Sequence, residues 1–146
     1  CPEAELLMYA ADRAQHVQRR IRPALERGDW VLSDRFSGST LAYQGDGRGL
    51  DRALILDLER IATNGLMPDV TLWLDLPLEA SMSRREERAE DRIEAEGQAF
   101  LSRVATGFQV LAAERNWVVI PADQRPEQVH KAIRRALEGH VAFRRP

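Results

Sequence analysis

At 146 residues, the chain is long enough for one compact domain. Its 44% hydrophobic and 30% charged composition, with 21 basic against 23 acidic side chains, argues against a disordered chain and against a polybasic nucleic-acid binder. No apolar run approaches the ~20 residues needed to cross a bilayer, and the single cysteine, Cys1, excludes an internal disulfide and suits a cytoplasmic setting.

The amino terminus has neither a charged n-region nor an apolar h-region, so it does not read as a signal peptide. Residues 3–27 place Leu7, Ala10, Ala14, Val17, Ile21 and Leu25 on a helical stripe, with Pro23 as a bend and Gly28 as a stop. The apolar burst Trp30-Val31-Leu32 then reads as a buried strand delivering Ser33, Asp34 and Arg35 at its carboxyl end. Gly45, Gly47 and Gly49 predict a tight loop; no Gly-Lys-Ser/Thr follows them, so this is not a nucleotide phosphate loop. Residues 50–66 read as a helix with Leu54, Leu58, Ile61 and Ala62 on one side. Residues 70–76 form the clearest strand. Helical patterns follow over 79–88 and 91–115, the latter weakened at Gly97 and Gly107. Residues 117–120 predict a third strand and residues 127–137 a last helix.

Strands alternating with helices predict a parallel α/β fold whose ligands sit beyond the carboxyl ends of the strands. Asp34, Arg35, Asp75 and the loop starting at Pro121 would lie on that edge. Three strands are few for a parallel sheet covered on both faces.

Three clusters can carry chemistry. Arg35, fixed after a strand, suits a phosphate because its planar fork donates two parallel hydrogen bonds; pairing with Asp34 or capping a helix is the structural alternative. Tyr9 and Arg13 are neighbours at i, i+4, able to sandwich a base and bond its carbonyl edge, or else to pack at the rim of the core with the arginine reaching outward. Arg84, Arg85, Arg88 and Arg92 could close over transferring phosphates. The interleaved Glu86, Glu87, Glu90, Glu94 and Glu96 fit an ordinary solvated helix equally well. His16, His130 and His140 show no metal-ligand spacing, and no nucleophile pairing is present.

In order and spacing these segments resemble the bacterial thymidylate kinase family. The resemblance is carried by Glu5-Leu-Leu-Met-Tyr-Ala-Ala-Asp-Arg13, Trp30-Val-Leu-Ser-Asp-Arg-Phe36, Ser39-Thr-Leu-Ala-Tyr-Gln-Gly45, Gly47-Arg-Gly49, Pro68-Asp-Val-Thr-Leu-Trp-Leu-Asp75 and Asp91-Arg-Ile-Glu94. It implies a P-loop NTPase-like parallel sheet sandwiched by helices, with three of the expected five strands, and one partial kinase domain over residues 1–146. The implied reaction moves the ATP γ-phosphoryl group to dTMP, giving dTDP. Tyr9 would stack on thymine and Arg13 reach its carbonyl. Thr40, next to Ser39, would bond the ring, and Tyr43 and Gln44 would contact the sugar side. Arg35 of the Asp34-Arg35 pair would hold the phosphate. Residues 84–97 would form a lid carrying Arg84, Arg88 and Arg92, and Ala122 and Gln124 would line the adenine site.

The family's opening strand, its Gly-Lys-Ser/Thr phosphate loop and its second strand have no counterpart in these residues. The expectation is therefore an amino-terminally truncated member, lacking the main groups for ATP and Mg²⁺ and inactive by itself. The resemblance further implies a cytoplasmic homodimer built through the first helix and the helix over 50–66, with dTMP and ATP as partners and neither nucleic acid nor membrane. A deoxynucleoside kinase, another nucleoside monophosphate kinase and a noncatalytic nucleotide-binding module are the rival readings.

Overall fold

The computed structural model describes residues 1–83 and 96–140. Two units divide the chain: Cys1–Met67 with Thr106–Phe108, and Pro68–Ala105 with Gln109–Pro146.

In the first unit, Pro2 opens helix α1 (Pro2–His16), where its missing N–H costs nothing, and Glu3 and Glu5 complement the positive end of the helix dipole. The helix widens into a π-helical turn over Val17–Ile21 and resumes as α2 (Arg22–Glu26). The widened turn precedes Pro23, whose ring would clash with a carbonyl of a regular α-helix. Gly28 then ends the run in the left-handed region at φ 81°. The buried face carries Leu6, Val17 and Ile21, whereas Leu7 is exposed. Of the expected stripe, Val17 and Ile21 are buried and Ala10 and Ala14 half-buried, but at its start Leu6 takes the inner position in place of Leu7, with Glu5 and Arg13 half-buried beside it.

Residues 29–33 carry no regular secondary structure, and Trp30 and Leu32 are 71% and 99% exposed. This corrects the strand expected at Trp30–Leu32: an apolar triplet becomes a strand only where a neighbouring ladder accepts it. The glycine-rich stretch is corrected for Gly45 and Gly47, while Gly49 does stand outside helix in the left-handed region at φ 77°. After the short helix α3 (Ser37–Thr40), a π-helical segment runs through Leu41–Gly47 instead of a loop, with Arg48 N donating to Tyr43 O five residues back at 3.0 Å. A Cβ at Gly45 would lie 3.3 Å from Ile55 Cδ1, so a larger residue there would need that side chain to shift slightly.

Helix α4 (Arg52–Thr63) is capped by Asp51, whose carboxylate accepts from Ala53 N at 2.9 Å, and ends at Asn64 in the left-handed conformation. Its buried face is Ile55, Glu59, Ala62 and Thr63; of the expected Leu54, Leu58, Ile61 and Ala62, Ala62 is buried and Leu58 half-buried, whereas Leu54 and Ile61 are exposed. Helices α1 and α4 pack together, and α4 also packs on the π-helical segment. Arg22 Nη2 ties α2 to the end of α4 by donating to Thr63 O (3.1 Å) and Asn64 O (2.9 Å).

The second unit holds a two-stranded parallel sheet. Strand β1 (Leu72–Asp75) pairs with β2 (Val118–Pro121) in the register Leu72↔Val118 to Asp75↔Pro121. Helix α5 (Leu78–Ser83) follows β1. Helix α6 (Gln98–Glu114) starts after Gly97, at φ 89°, and runs through Gly107 without a break. Phe100, Val104 and Leu111 are buried along it at helical spacing. Helix α7 (Pro126–Glu138) opens with Pro126, has its preceding Arg125 N–H bonded to Gln128 Oε1 at 3.2 Å, and packs on β2. Among the described residues there are thus two strands where three were expected.

Candidate functional site

Two helical stripes of the first unit face each other. On α1, Glu5, Tyr9 and Arg13 recur every four residues and so share one side of the helix. Across from them lie Phe36, Thr40 and Gln44, running in the opposite sense. Arg13 Nη1 donates to Thr40 Oγ1 at 2.9 Å and Arg13 Nη2 to Phe36 O at 3.3 Å, and the guanidinium sits 5.5 Å from the Phe36 ring centroid. At the other end, Gln44 Nε2 donates to Glu5 Oε1 at 2.8 Å. Tyr9 occupies the middle position of the α1 stripe and is partly exposed. Thr40 is buried, and Ser39 beside it is half-buried.

Arg13 is electrostatically unusual. Burial pushes its guanidinium pKa below the ordinary value, opposed by the negative charges of Glu59 and Asp12. Glu59 is itself buried on α4 and accepts a 2.5 Å hydrogen bond from Ser37 Oγ, so it also pins the first residue of α3. A cation held in a dry setting, with part of its donor fork directed to Thr40 and Phe36, suits recognition of a carbonyl oxygen.

Arg35 has a positive φ of 68°, a conformation that costs a non-glycine residue on the order of 1 kcal/mol. Ser33 Oγ supports it by donating to Arg35 O at 2.8 Å. The turn brings the Arg35 guanidinium to 5.2 Å from the centroid of the Tyr43 ring, and Tyr43 meets Phe108 edge to face at 6.0 Å between centroids. Asp34 and Arg35 are both exposed. A solvent-facing cation stacked on an aromatic ring remains open to an anionic ligand.

The sequence-derived residues therefore fall into groups: Arg13 with Thr40, Arg35 with Tyr43, and Gln44 with Glu5. Ala122 and Gln124 belong to the second unit, where Ala122 N donates to Asp75 O at 2.7 Å after β2 and Gln124 is exposed. Arg84, Arg88 and Arg92 lie outside the described residues. Sequence reasoning missed Glu5, Arg48, Ser37 and Glu59. A carboxylate inside an otherwise apolar helical pattern was the available signal for Glu5 and Glu59, and it surfaced only once the buried faces were fixed.

Comparison with known proteins converges on one family. A family profile described as "Thymidylate kinase" matches residues 1–133. The chain is 84% identical over 145 residues to the thymidylate kinase of Synechococcus sp. (strain WH7803), covering 99% of this chain and 68% of that protein. It is 66% identical over 139 residues to the thymidylate kinase of Prochlorococcus marinus (strain MIT 9313), covering 95% of this chain and 64% of the relative. Identity is again 66%, over 136 residues, to that of Parasynechococcus marenigrum (strain WH8102), covering 93% and 65%. The chain thus spans about two thirds of the length of these relatives. With the parallel β1–β2 pair and its covering helices in an α/β arrangement, the chain belongs to the thymidylate kinase family, whose fold is that of the P-loop NTPases.

Proposed function

We propose that the protein carrying these residues transfers the terminal phosphoryl group of a nucleoside triphosphate, ATP with Mg²⁺, to dTMP, and that the first unit forms the dTMP side of the site. The observation that supports this most is the pairing of a part-buried Arg13–Thr40 contact with an exposed Arg35 stacked on Tyr43. The first is suited to a base carbonyl and the second to a phosphate. In this reading Tyr9 stacks on thymine, Arg13 donates to its carbonyl, and Thr40, beside Ser39, contacts the ring edge. Tyr43 lies toward the sugar, crowding a 2′-hydroxyl, and Gln44 contacts the nucleoside next to it. Arg35, after Asp34, holds the acceptor phosphate in line, so that binding supplies orientation and neutralises charge without a covalent enzyme intermediate.

The donor side is a separate matter. Among the described residues no three acidic, histidine or cysteine side chains converge to hold a metal ion, and the sequence has no Gly-Lys-Ser/Thr. Arg84, Arg88 and Arg92 complete the reading as lid residues that offset developing charge, with Ala122 and Gln124 toward adenine. Phosphoryl transfer by the 146-residue chain alone is expected at background. A homodimer is the proposed assembly, supported by the exposed Leu7 and Met8 of α1 and Leu54 and Ile61 of α4; a cytoplasmic location is proposed with it.

The test is a coupled assay of the complete gene product with ATP and dTMP, followed by calorimetric titration of dTMP and of thymidine into the protein and its Arg35→Ala variant. Loss of dTMP binding by about 100-fold, with thymidine binding changed less than about threefold, is the expected result. Equal losses for both ligands would count against Arg35 as the phosphate anchor and would favour a nucleoside kinase.

A further inference from the structure

Two charged residues with no role in the reading above meet at one end of the facing stripes. Arg48 Nε and Nη2 donate to Glu5 Oε1 and Oε2, each at 3.0 Å, and both side chains are only 12% exposed. The same Glu5 Oε1 accepts from Gln44 Nε2 at 2.8 Å. A carboxylate only accepts hydrogen bonds, so Gln44 must present its NH₂ to Glu5 and turn its Oε1 the other way. The orientation of this amide, ordinarily a matter of assignment, is settled here by its neighbour's chemistry. Gln44 is 2% exposed, which leaves its amide held inside the fold.

A buried ion pair of this kind is weak evidence for stability, because desolvation offsets most of the attraction. Its geometric consequence is stronger. Glu5 lies one helical turn before Tyr9 and two before Arg13, and Gln44 one turn beyond Thr40. A hydrogen-bond donor group, Arg13 with Thr40, is thereby set along the same stripes as an acceptor, Gln44 Oε1.

The geometry points to Glu5 as a positioning residue: clamped by Arg48, it fixes the Gln44 amide so that the carbonyl, and not the NH₂, is offered to the nucleotide base. The inference rests on the dTMP reading above and deepens it. A fixed acceptor beside a fixed donor matches a base edge in which an N–H adjoins a carbonyl. The thymine imide has that edge. Cytosine reverses it, with a ring-nitrogen acceptor beside an amino donor, and would set Gln44 Oε1 against a lone pair. Glu5 would thus contribute to base selection without touching the base.

The decisive variant is Glu5→Gln in the complete gene product, since a glutamine donates as well as accepts and lets the Gln44 amide turn over. Calorimetric titration with dTMP and dCMP, together with steady-state kinetics, is expected to show KM for dTMP raised about 10-fold. Preference for dTMP over dCMP should fall about 10-fold or more, with kcat at saturating dTMP changed less than about threefold. In a Gln44→Ala background the same substitution should alter neither preference nor KM, because its route of action is gone. Unchanged preference in a folded Glu5→Gln protein, or a full additive loss in the Gln44→Ala background, would overturn the inference and leave Glu5 a structural residue. Should Glu5→Gln fail to fold, Arg48→Met, which loosens the clamp but keeps the carboxylate, should still lower the dTMP preference; unaltered preference there would equally overturn it. Unmodified protein that binds no dTMP would remove the reading and this inference together.

Discussion

At the scale of single residues, strain and buried charge mark Arg35 and Arg13. Arg35 holds a left-handed backbone that glycine would adopt without steric cost. Arg35→Gly should therefore leave stability within about 0.5 kcal/mol, the relieved strain offsetting the greater freedom of glycine in the unfolded chain. Urea denaturation beside dTMP titration checks this: unchanged stability with lost binding is expected, whereas a loss above about 2 kcal/mol would make the guanidinium structural. For Arg13, burial lowers the folded pKa, with Glu59 and Asp12 opposing the shift. A base lowered in this way binds fewer protons when folded than when unfolded, so its cost is present in full below the folded pKa. That cost is relieved only as pH rises through the folded pKa toward the unfolded one, far above neutrality. Near pH 7 the compensation must come from carboxylates. Glu59→Gln, which keeps an acceptor for Ser37 but removes the charge, should then cost about 1–3 kcal/mol at pH 7 by urea denaturation. A neutral outcome would show that Glu59 does not balance Arg13.

At the scale of elements, the helices were legible and their faces only in part. The run ending at Gly28 and the helices around 52–63 and 126–138 follow from apolar spacing, prolines and caps that act locally. Along the first helical run and α4 the expected stripes place Val17, Ile21 and Ala62 correctly inside, but Leu7, Leu54 and Ile61 are exposed while Glu5 and Arg13 are half-buried and Glu59 is buried. Pattern reading assigns polar residues outward, and so it misses a helix whose inner side carries charged residues. Tyr9, Arg13, Thr40 and Gln44 were legible as candidates; their hidden partners Glu5 and Glu59 were not. The glycines misled for a related reason, because Gly45 and Gly107 stand within helices and not in turns. At Gly107 an added Cβ would strike the Asp46 side chain, whose own Cβ would lie 2.9 Å away. Gly107→Ala should cost about 1–3 kcal/mol of stability despite the better helix propensity of alanine. Asp46→Gly, which removes that Cβ with the carboxylate, should restore part of that loss in the double variant, and additive losses would show that the two positions do not meet.

At the scale of the whole molecule, strand content depends on neighbours that a local pattern cannot supply. Residues 72–75 and 118–121 form strands because each gives the other a ladder. Trp30-Val31-Leu32 has comparable β-propensity and is left exposed without strand structure. An exposed apolar triplet with strand propensity is an invitation to pair with another chain. For the 146-residue chain, Leu32→Lys should change unfolding free energy by less than about 0.5 kcal/mol while raising the concentration at which light scattering reports association. A marked destabilisation would mean that Leu32 is buried in solution.

The π-helical segment over Leu41–Gly47 also bears on how such chains can change over generations. A widened turn holds one residue more than an α-helix needs for the same turn. Loss of a single codon there, at Ala42 for instance, could restore regular helix at little cost to the backbone. It would also rotate every earlier position by about 100° relative to Tyr43 and Gln44. Thr40 could then no longer face Arg13 while Gln44 faces Glu5. Length variation in this stretch should accordingly be tolerated by the fold and rejected by the site, so that functional lineages hold its residue count constant even where its side chains drift.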